Sequence, residues 1–333
     1  MKQTFRFCLI ALLLGTFSSH SFAKTFKIAT IAPAGTAWLK QMKKGAEIIK
    51  QKTEGRVKIK YYPGGVMGND ASVHRKIKVG QLHGGAFTSG GLAQFYRDIQ
   101  VLSLPMLFNS LDEVDYVRSK LDETLKQNME KNGFVLLGIA EGGFARIMSK
   151  EPMVKLESIR ASKVWIPEGD ILVEATYDTL GISPISLPIS DVFTGLQTGL
   201  IETVSVTSTA AIAFQWHTST AYLTDTPIIY LIGLLAIQKK AFDKISPEDQ
   251  QVVREAIGDA FKTLDSLNRA DNIQASEALK TQGITFVKPD AEELLRWKTL
   301  SIQATDNMVA EGIVSREMVD VVKGHLSTYR NSQ

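Results

Sequence analysis

The chain has 333 residues, of which 38 are Lys or Arg and 35 are Asp or Glu, so its formal net charge is +3. Lys2 and Arg6 supply two of those positive charges within the first 23 residues, which contain no acid, so the remainder carries only +1. A nearly neutral surface argues against a nucleic-acid partner and against a polybasic membrane patch. Cys8 is the single cysteine, which excludes a disulfide framework and thiol chemistry in an exported protein.

A secretory signal peptide is predicted at the N-terminus. Lys2 and Arg6 precede an apolar run at residues 7–14, and the segment closes with Ser21-Phe22-Ala23. The apolar run is too short to span a bilayer. We therefore expect cleavage near Ala23 and a periplasmic mature chain that is not embedded in a membrane. At about 310 residues, that mature chain is long enough for two domains.

Strand and helix signals alternate along the predicted mature chain, which predicts an α/β fold. Residues 26–31 are apolar and β-prone, and a loop at residues 32–36 leads into a helix with an apolar stripe that ends before Gly55. Further strands are predicted at residues 57–62 and 84–88, with a helix between them.

The middle of the chain continues this alternation. Ser110 and Glu113 form a predicted capping box that opens a helix running to about Lys131. Residues 134–140 are predicted as one strand, and the segment around Arg146 is predicted as a separate strand.

The second half of the chain contains the longest helical signal. A short strand at residues 163–166 precedes an amphipathic segment that begins at Asp170. Ser246 and Pro247 then provide an N-cap and a first-turn proline, and an apolar stripe follows to about Gln282. Roughly 35 residues at 1.5 Å each give a rod of about 50 Å, so we expect this helix to cross both domains.

The motifs of the common enzyme classes are absent from the sequence. None of the four histidines after residue 23 has a second histidine or a carboxylate at metal-ligand spacing. There is no nucleophile elbow, phosphate-binding glycine loop or dinucleotide fingerprint. We therefore predict no catalytic residue, no metal site and no cofactor. Binding of a small molecule is the simplest function for such a chain.

Several segments together resemble the substrate-binding proteins of tripartite ATP-independent periplasmic (TRAP) transporters. The segments are IATIAPAGTAW (28–38), YYPGGVMGND (61–70), IKVGQLHGG (77–85), LSLPMLF (102–108), KVWIP (163–167) and LQTGLIET (196–203). The resemblance implies two α/β lobes joined by hinge strands, a ligand cleft between the lobes, and delivery of the solute to a membrane permease. Closure on the ligand would shift the population toward the form that the permease recognises.

The resemblance also implies the division of the chain and its functional class. The first lobe is expected at residues 24–142 with about 231–270, and the second at residues 143–230 with about 271–310. Residues 311–333 would form a C-terminal helical segment. The implied function is that of a non-enzymatic periplasmic solute-binding protein, and a periplasmic sensor or partner-binding module on the same fold is the alternative.

Binding residues are carried over one position at a time. On the strand KVWIP, where the family usually carries an arginine that clamps a ligand carboxylate, this chain has Trp165. A second arginine position falls on Ala145, with Arg146 beside it, and a position that is commonly asparagine falls on Val206. The pocket wall falls on Ile189. The predicted ligand-binding residues are Trp165, Arg146, Ile189, Val206, Thr88, Asp70, Thr36 and Thr207.

Other interpretations of these residues stay open. Trp165 could stack on a ring, face a cation or fill the core, and the nearby Glu168 and Asp170 favour a cation slightly. Arg146 could reach the ligand through a β-bulge and restore an acid site. Asp70 could instead cap the helix that follows it. The ligand, the oligomeric state and a metal ion accompanying the ligand are not decided by the sequence.

Overall fold

The computed structural model describes residues 23–333, and the predicted signal peptide therefore lies outside the described residues except for Ala23. The strands are β1 (Lys24–Thr30), β2 (Val57–Tyr62), β3 (Gly84–Thr88), β4 (Phe134–Ser149), β5 (Trp165–Pro167), β6 (Ile185–Leu187), β7 (Thr203–Val206), β8 (Tyr222–Gln238) and β9 (Thr285–Val287). The helices are α1 (Ala37–Lys52), α2 (Asp70–Lys78), α3 (Ser89–Leu92), α4 (Leu111–Lys131), α5 (Leu156–Ala161), α6 (Ile171–Leu180), α7 (Val192–Thr198), α8 (Ser208–Ala213), α9 (Lys239–Phe242), α10 (Pro247–Thr281), α11 (Ala291–Ala310) and α12 (Arg316–Asn331). Three 3₁₀ turns lie at Arg97–Ser103, Ile189–Asp191 and Trp216–Ser219.

The main sheet has the strand order β2-β1-β3-β8-β4-β7, and β9 pairs with β8. The strands β1, β2 and β3 are parallel to one another, while β8 runs antiparallel to β3 and β4. The strands β5 and β6 form a small parallel pair, which an isolated bridge from Val164 to Thr203 connects to β7. The long strands β4 and β8 thus reach from the β1–β3 region to the β5–β7 region and connect the two lobes.

The strand β4 corrects one prediction from the sequence. Residues 134–140 and the segment around Arg146 were expected to form separate strands, but they are one strand of 16 residues. Its pairing with β8 shifts between Glu141 and Gly143 and again between Ala145 and Ile147. Gly143 has φ +104°, a backbone angle that glycine adopts far more easily than other residues. The irregularities allow the strand to bend and continue where the sequence pattern indicated a break.

The helix ends follow the capping signals of the sequence. The Ser110 side chain accepts a hydrogen bond from the backbone N–H of Glu113 at 3.2 Å at the start of α4. The chain leaves α4 through Gly133, whose φ is +86°. Ser246 caps α10, and Pro247 is its first residue. The predicted boundaries of both helices are therefore confirmed, because local capping chemistry decides them.

The 35-residue helix α10 spans the two lobes, as predicted. It packs against α1 and β4 and also against α8, which lies next to β7. Asn268 Nδ2 donates to the carbonyl oxygen of Glu141 at 2.5 Å, and Asn272 Nδ2 donates to that of Gly142 at 3.1 Å. The irregular part of β4 therefore has its free carbonyl groups satisfied by this helix.

The apolar core is divided between the lobes. One pair of clusters surrounds β1, β3 and the adjoining halves of β4 and β8, and includes Phe26, Leu102 and Phe261. A second pair lies around β5 and β7 and includes Trp165 and Trp216. Leu172 of α6 packs into the first of these regions, so α6 makes apolar contact across the lobe boundary predicted from the sequence.

Candidate functional site

Three polar segments meet where the predicted lobes touch. The first is the end of β3, where Thr88 is followed by Ser89, Gly90 and Gly91. The second is the start of α2, and the third is the loop that precedes α6. Asn69 Nδ2 of the second segment donates to Glu168 Oε2 of the third at 2.5 Å. We call the contact region formed by these three segments the lobe interface.

Asp70 lies at the lobe interface, and its carboxylate has no hydrogen-bond partner among residues 23–333. Asn69, and not Asp70, caps α2, because the Asn69 side chain accepts from the backbone N–H of Ser72 at 3.0 Å. The suggestion that Asp70 is the cap is therefore wrong, and the Asp70 carboxylate does not bond to the backbone of α2. A methyl group added at Gly91 would lie 2.5 Å from Asp70 Oδ2, so a side chain there would displace the Asp70 carboxylate. Burial, together with the charges of Asp170 and Glu168, raises the pKa of Asp70 to about 6.

Asp170 faces the same glycine pair from the second lobe. Its Oδ1 caps α6 by accepting from the backbone N–H of Val173 at 3.2 Å, and it also accepts from Gln100 Nε2 at 3.0 Å. A methyl group at Gly90 would lie 2.6 Å from Asp170 Oδ2. Burial raises the pKa of Asp170 above its ordinary value, although these hydrogen bonds oppose the shift. The carboxylates of Asp170 and Asp70 therefore lie against Gly90 and Gly91, two consecutive residues of the short helix α3.

The three predicted threonines all cap helices. Thr88 Oγ1 accepts from the backbone N–H of Gly91 at 3.3 Å, and Thr207 Oγ1 accepts from that of Ala210 at 3.3 Å. Thr36 Oγ1 accepts from the N–H of Leu39 and donates its proton to the carbonyl of Pro33. Thr36 thus uses its hydroxyl within its own loop. Thr88 and Thr207 keep a hydroxyl proton that has no acceptor within residues 23–333.

Trp165 lies inside the second lobe. Its side chain is 4% exposed, and its Nε1–H donates to the carbonyl oxygen of Leu187 at 3.0 Å. The indole packs edge-on against Trp216, with ring centroids 5.2 Å apart. Val206 is buried in the same apolar cluster, and Ile189 is half-buried against it. Trp165, Val206 and Ile189 therefore come together, but the polar atom of the indole is already used.

Arg146 pairs in register with Val206, yet its side chain is engaged elsewhere. Arg146 Nε donates to Asp225 Oδ1 at 3.1 Å, and Lys288 Nζ lies 3.4 Å from the other oxygen of that carboxylate. The pairing of β4 with β8 shifts between Ala145 and Ile147, but the extra residues lie in β8, and Arg146 keeps its regular pairing with β7. In this structure the guanidinium is balanced by a carboxylate of β8.

The structure brings Asp70 and Thr88 together at the lobe interface, and it adds two residues that were not among the predicted binding residues. Asp170 was noted in the sequence only as a nearby acid, and Gln100 was missed. Gln100 lies in a 3₁₀ turn 70 residues from Asp170 in the sequence, and no local pattern marks it. Residues 23–333 contain no group of three or more His, Cys, Asp or Glu side chains arranged to hold a metal ion. Across the same residues, no helix has the length and apolar character needed to cross a membrane.

The two-lobed α/β architecture and the long spanning helix are those of a solute-binding protein. A model of the bacterial extracellular solute-binding protein, family 7 (DctP), matches residues 28–312 of the chain. The chain therefore belongs to this family. Its members are substrate-binding components of transporters and not enzymes, which confirms the predicted functional class.

Individual relatives agree with this assignment. The uncharacterized protein YiiZ of Salmonella typhimurium is 26% identical over 212 residues, which cover 63% of this chain and 64% of that protein. The C4-dicarboxylate-binding periplasmic protein DctP of Shewanella loihica is 22% identical over 87% of this chain and 88% of its own length. A TRAP periplasmic solute-binding protein from Xanthobacter autotrophicus, solved with bound β-D-galacturonate, has a TM-score of 0.83 at 21% identity, covering 91% of this chain and 99% of its own.

Proposed function

We propose that the chain is the periplasmic solute-binding subunit of a TRAP-type uptake system. It binds a small organic solute between its lobes and delivers it to the membrane permease subunits after export and cleavage near Ala23. The family match over residues 28–312 supports the transport role, and the N-terminal sequence supports export.

The solute is not held by the usual arginine clamp. Trp165 supports this proposal because it occupies the strand position at which the resemblance places an arginine. The indole is buried, and its N–H donates a hydrogen bond to the carbonyl oxygen of Leu187. Arg146, the nearest alternative guanidinium, is paired with Asp225. A planar guanidinium forms two parallel hydrogen bonds with a carboxylate, and neither an indole nor an occupied guanidinium reproduces that geometry.

The relatives of the chain show what this difference would change. Galacturonate and C4-dicarboxylates, which the relatives from Xanthobacter and Shewanella bind, are acids. A buried carboxylate left without its partner would lose a charge-assisted interaction of about 1.5–3 kcal/mol, or roughly 10- to 150-fold in affinity. We therefore expect this chain to bind galacturonate and succinate weakly or not at all.

The test begins with the solute that the protein carries when it is purified from the periplasm. Mass spectrometry of the denatured protein should release one small organic molecule per chain. Small-angle X-ray scattering should show a smaller radius of gyration with that molecule than after its removal. A control variant, Trp165→Phe, keeps the apolar packing and should retain binding.

Two results would contradict the proposal in different ways. If the released solute is an acid, and Arg146→Gln binds it far more weakly than the wild type does, then Arg146 provides the arginine clamp. A protein that neither carries a solute nor compacts with any solute would argue for the sensor or partner-binding alternative.

A further inference from the structure

The carboxylates at the lobe interface have no cationic partner within residues 23–333. The carboxylate of Asp70 accepts no hydrogen bond within residues 23–333, and neither Asp70 nor Asp170 takes part in an ion pair there. Glu168 adds a third carboxylate at the rim, bonded only to the neutral amide of Asn69. Buried carboxylates are ordinarily paired with cations, so the arrangement lacks its positive partner.

Gln100 provides an independent observation at the same place. The residue is 1% exposed, and its amide lies against one of the two acids, because Nε2 donates to Asp170 Oδ1 at 3.0 Å. The other end of that amide, Oε1, is buried and has no hydrogen-bond partner within the described chain. A buried amide oxygen without a donor is unfavourable, since most such atoms in native proteins are satisfied. Gln100 thus presents one more acceptor that an incoming donor would satisfy.

The surrounding backbone is shaped to let both carboxylates approach. Gly90 and Gly91 are consecutive, and a side chain on either would collide with Asp170 or Asp70 respectively. Asp70 comes from α2 of the first lobe and Asp170 from the loop before α6, so a group bound between them would contact both lobes. A ligand that touches both lobes is the kind that stabilises a closed form.

We propose that the solute carries an organic ammonium group, held at the lobe interface by Asp70 and Asp170 with Gln100 Oε1 as an additional acceptor. This inference rests on the proposed function, because it names the chemical class of the solute bound between the lobes. An ammonium group supplies N–H donors to these acceptors, and its positive charge balances the carboxylates. The raised pKa values of Asp70 and Asp170 agree with two acids that lack a cation.

An organic cation fits the site better than a metal ion does. The site offers two carboxylates and one amide oxygen from the protein, whereas Ca²⁺ takes six to eight oxygen ligands. An ammonium group has about three N–H donors, and Asp70, Asp170 and Gln100 offer three acceptor groups.

The test compares ammonium compounds with analogues of the same shape and different charge. The pairs are 3,3-dimethylbutylamine with 3,3-dimethyl-1-butanol, phenethylamine with 3-phenylpropanoate, and cyclohexylamine with cyclohexanecarboxylate. Thermal unfolding of the mature protein should show stabilisation by at least one ammonium member and by none of the neutral or acidic members. Isothermal titration calorimetry with that compound then gives its affinity.

Two matched variants connect the binding to the acidic pair. Asp70→Asn and Asp170→Asn should each weaken the ammonium compound at least about tenfold, because a charge-assisted contact is lost. Asparagine also caps helices well, so Asp170→Asn should keep α6 intact. Asp178→Asn, at an exposed position on the same helix, removes the same charge and should leave the affinity unchanged.

Several outcomes would overturn the inference. They are stabilisation only by acidic members, affinity that is unchanged in both interface variants, stabilisation by CaCl₂ or MgCl₂ equal to that by amines, and the absence of any stabilising amine. Acidic members that bind and compact the protein would leave the proposed function standing. Only a protein that binds no solute of any charge would remove both proposals.

Discussion

Two groups of buried carboxylates in this protein have opposite surroundings. At α10, Arg269 lies 2.8 Å from Glu141 of β4, which is 1% exposed, and Asp265 lies 3.1 Å from Arg118 of α4. These acids are held by guanidinium groups, and their neighbours include the bent part of β4. At the lobe interface, Asp70 and Asp170 are partly buried, but residues 23–333 contribute no ion pair to either.

The difference separates a structural role from a binding role. Breaking a buried ion pair is strongly destabilising, so the pairs Arg269–Glu141 and Asp265–Arg118 fix α10 against β4 and α4. An unpaired buried acid destabilises the ligand-free protein, and that free energy is recovered when a cation binds. The comparison therefore explains why the acidic pair is a better candidate for solute binding than the more numerous charges near α10.

The largest expected effect comes from breaking the paired group. Arg118→Met leaves Asp122 and Asp265 without their guanidinium and the carbonyl of Ile139 without its donor. We expect a loss of about 3–5 kcal/mol in the free energy of unfolding, measured by urea denaturation. Lys50→Met, which breaks an exposed pair with Glu47, is the control and should change it by less than about 1 kcal/mol. Equal losses in the two variants would show that burial does not distinguish the ion pairs of Arg118 from an exposed pair.

The second prediction is a gain, and not a loss, in the free energy of unfolding, and it concerns Asp70. Burial raises the pKa of Asp70 in the folded protein from its ordinary value of 3.8 to about 6. The folded state therefore binds more protons than the unfolded state between these values, and the charged form destabilises it at higher pH. Asp70→Asn should stabilise the ligand-free protein at pH 7 by on the order of 1–3 kcal/mol.

The pH dependence provides the check on that prediction. The gain should shrink as the pH falls through about 6 and disappear below about 4, because Asp70 is then neutral in both states. The groups facing Asp70 are Asp170 and Glu168, with His74 one turn along α2, and burial lowers the pKa of His74. Thermal unfolding from pH 4 to 8 measures the effect, with Asp178→Asn as the control. If Asp70→Asn stabilises the protein equally at every pH, then the stabilisation does not come from removing the charge of the Asp70 carboxylate.

The smallest effect concerns Arg146. Its pair with Asp225 is partly exposed, with 27% and 31% of the two side chains accessible. Arg146→Gln should therefore lower the free energy of unfolding by no more than about 1 kcal/mol. Binding of the solute recovered from the wild-type protein should not change. A loss of that binding, measured by calorimetry, would show that Arg146 contributes to the binding site.

Helix boundaries could be predicted from the sequence, because caps and stops act over a few residues. Ser110, Ser246 and Gly133 marked the ends of α4 and α10 at the positions observed. The continuity of β4 could not be predicted. Glu141, Gly142 and Gly143 interrupt its apolar pattern, and only pairing with β8 keeps the chain extended through them.

The binding residues divide in the same way. The position of Trp165 on a short strand was evident from the sequence, whereas its burial against Trp216 depends on a chain crossing 51 residues later. The side chains that share a site with Asp70 were not evident, because Gln100 and Asp170 come from elements that are distant in the sequence.

By itself, the sequence determined the order of strands and helices, the length of α10 and the family to which the chain belongs, since these depend on local periodicity and short motifs. Only the tertiary structure decided which charges are compensated. It directs Arg146 to Asp225 and leaves Asp70 facing Asp170. The physical reason is that the energy of a buried charge depends on its neighbours in space, and packing brings those neighbours from distant parts of the chain.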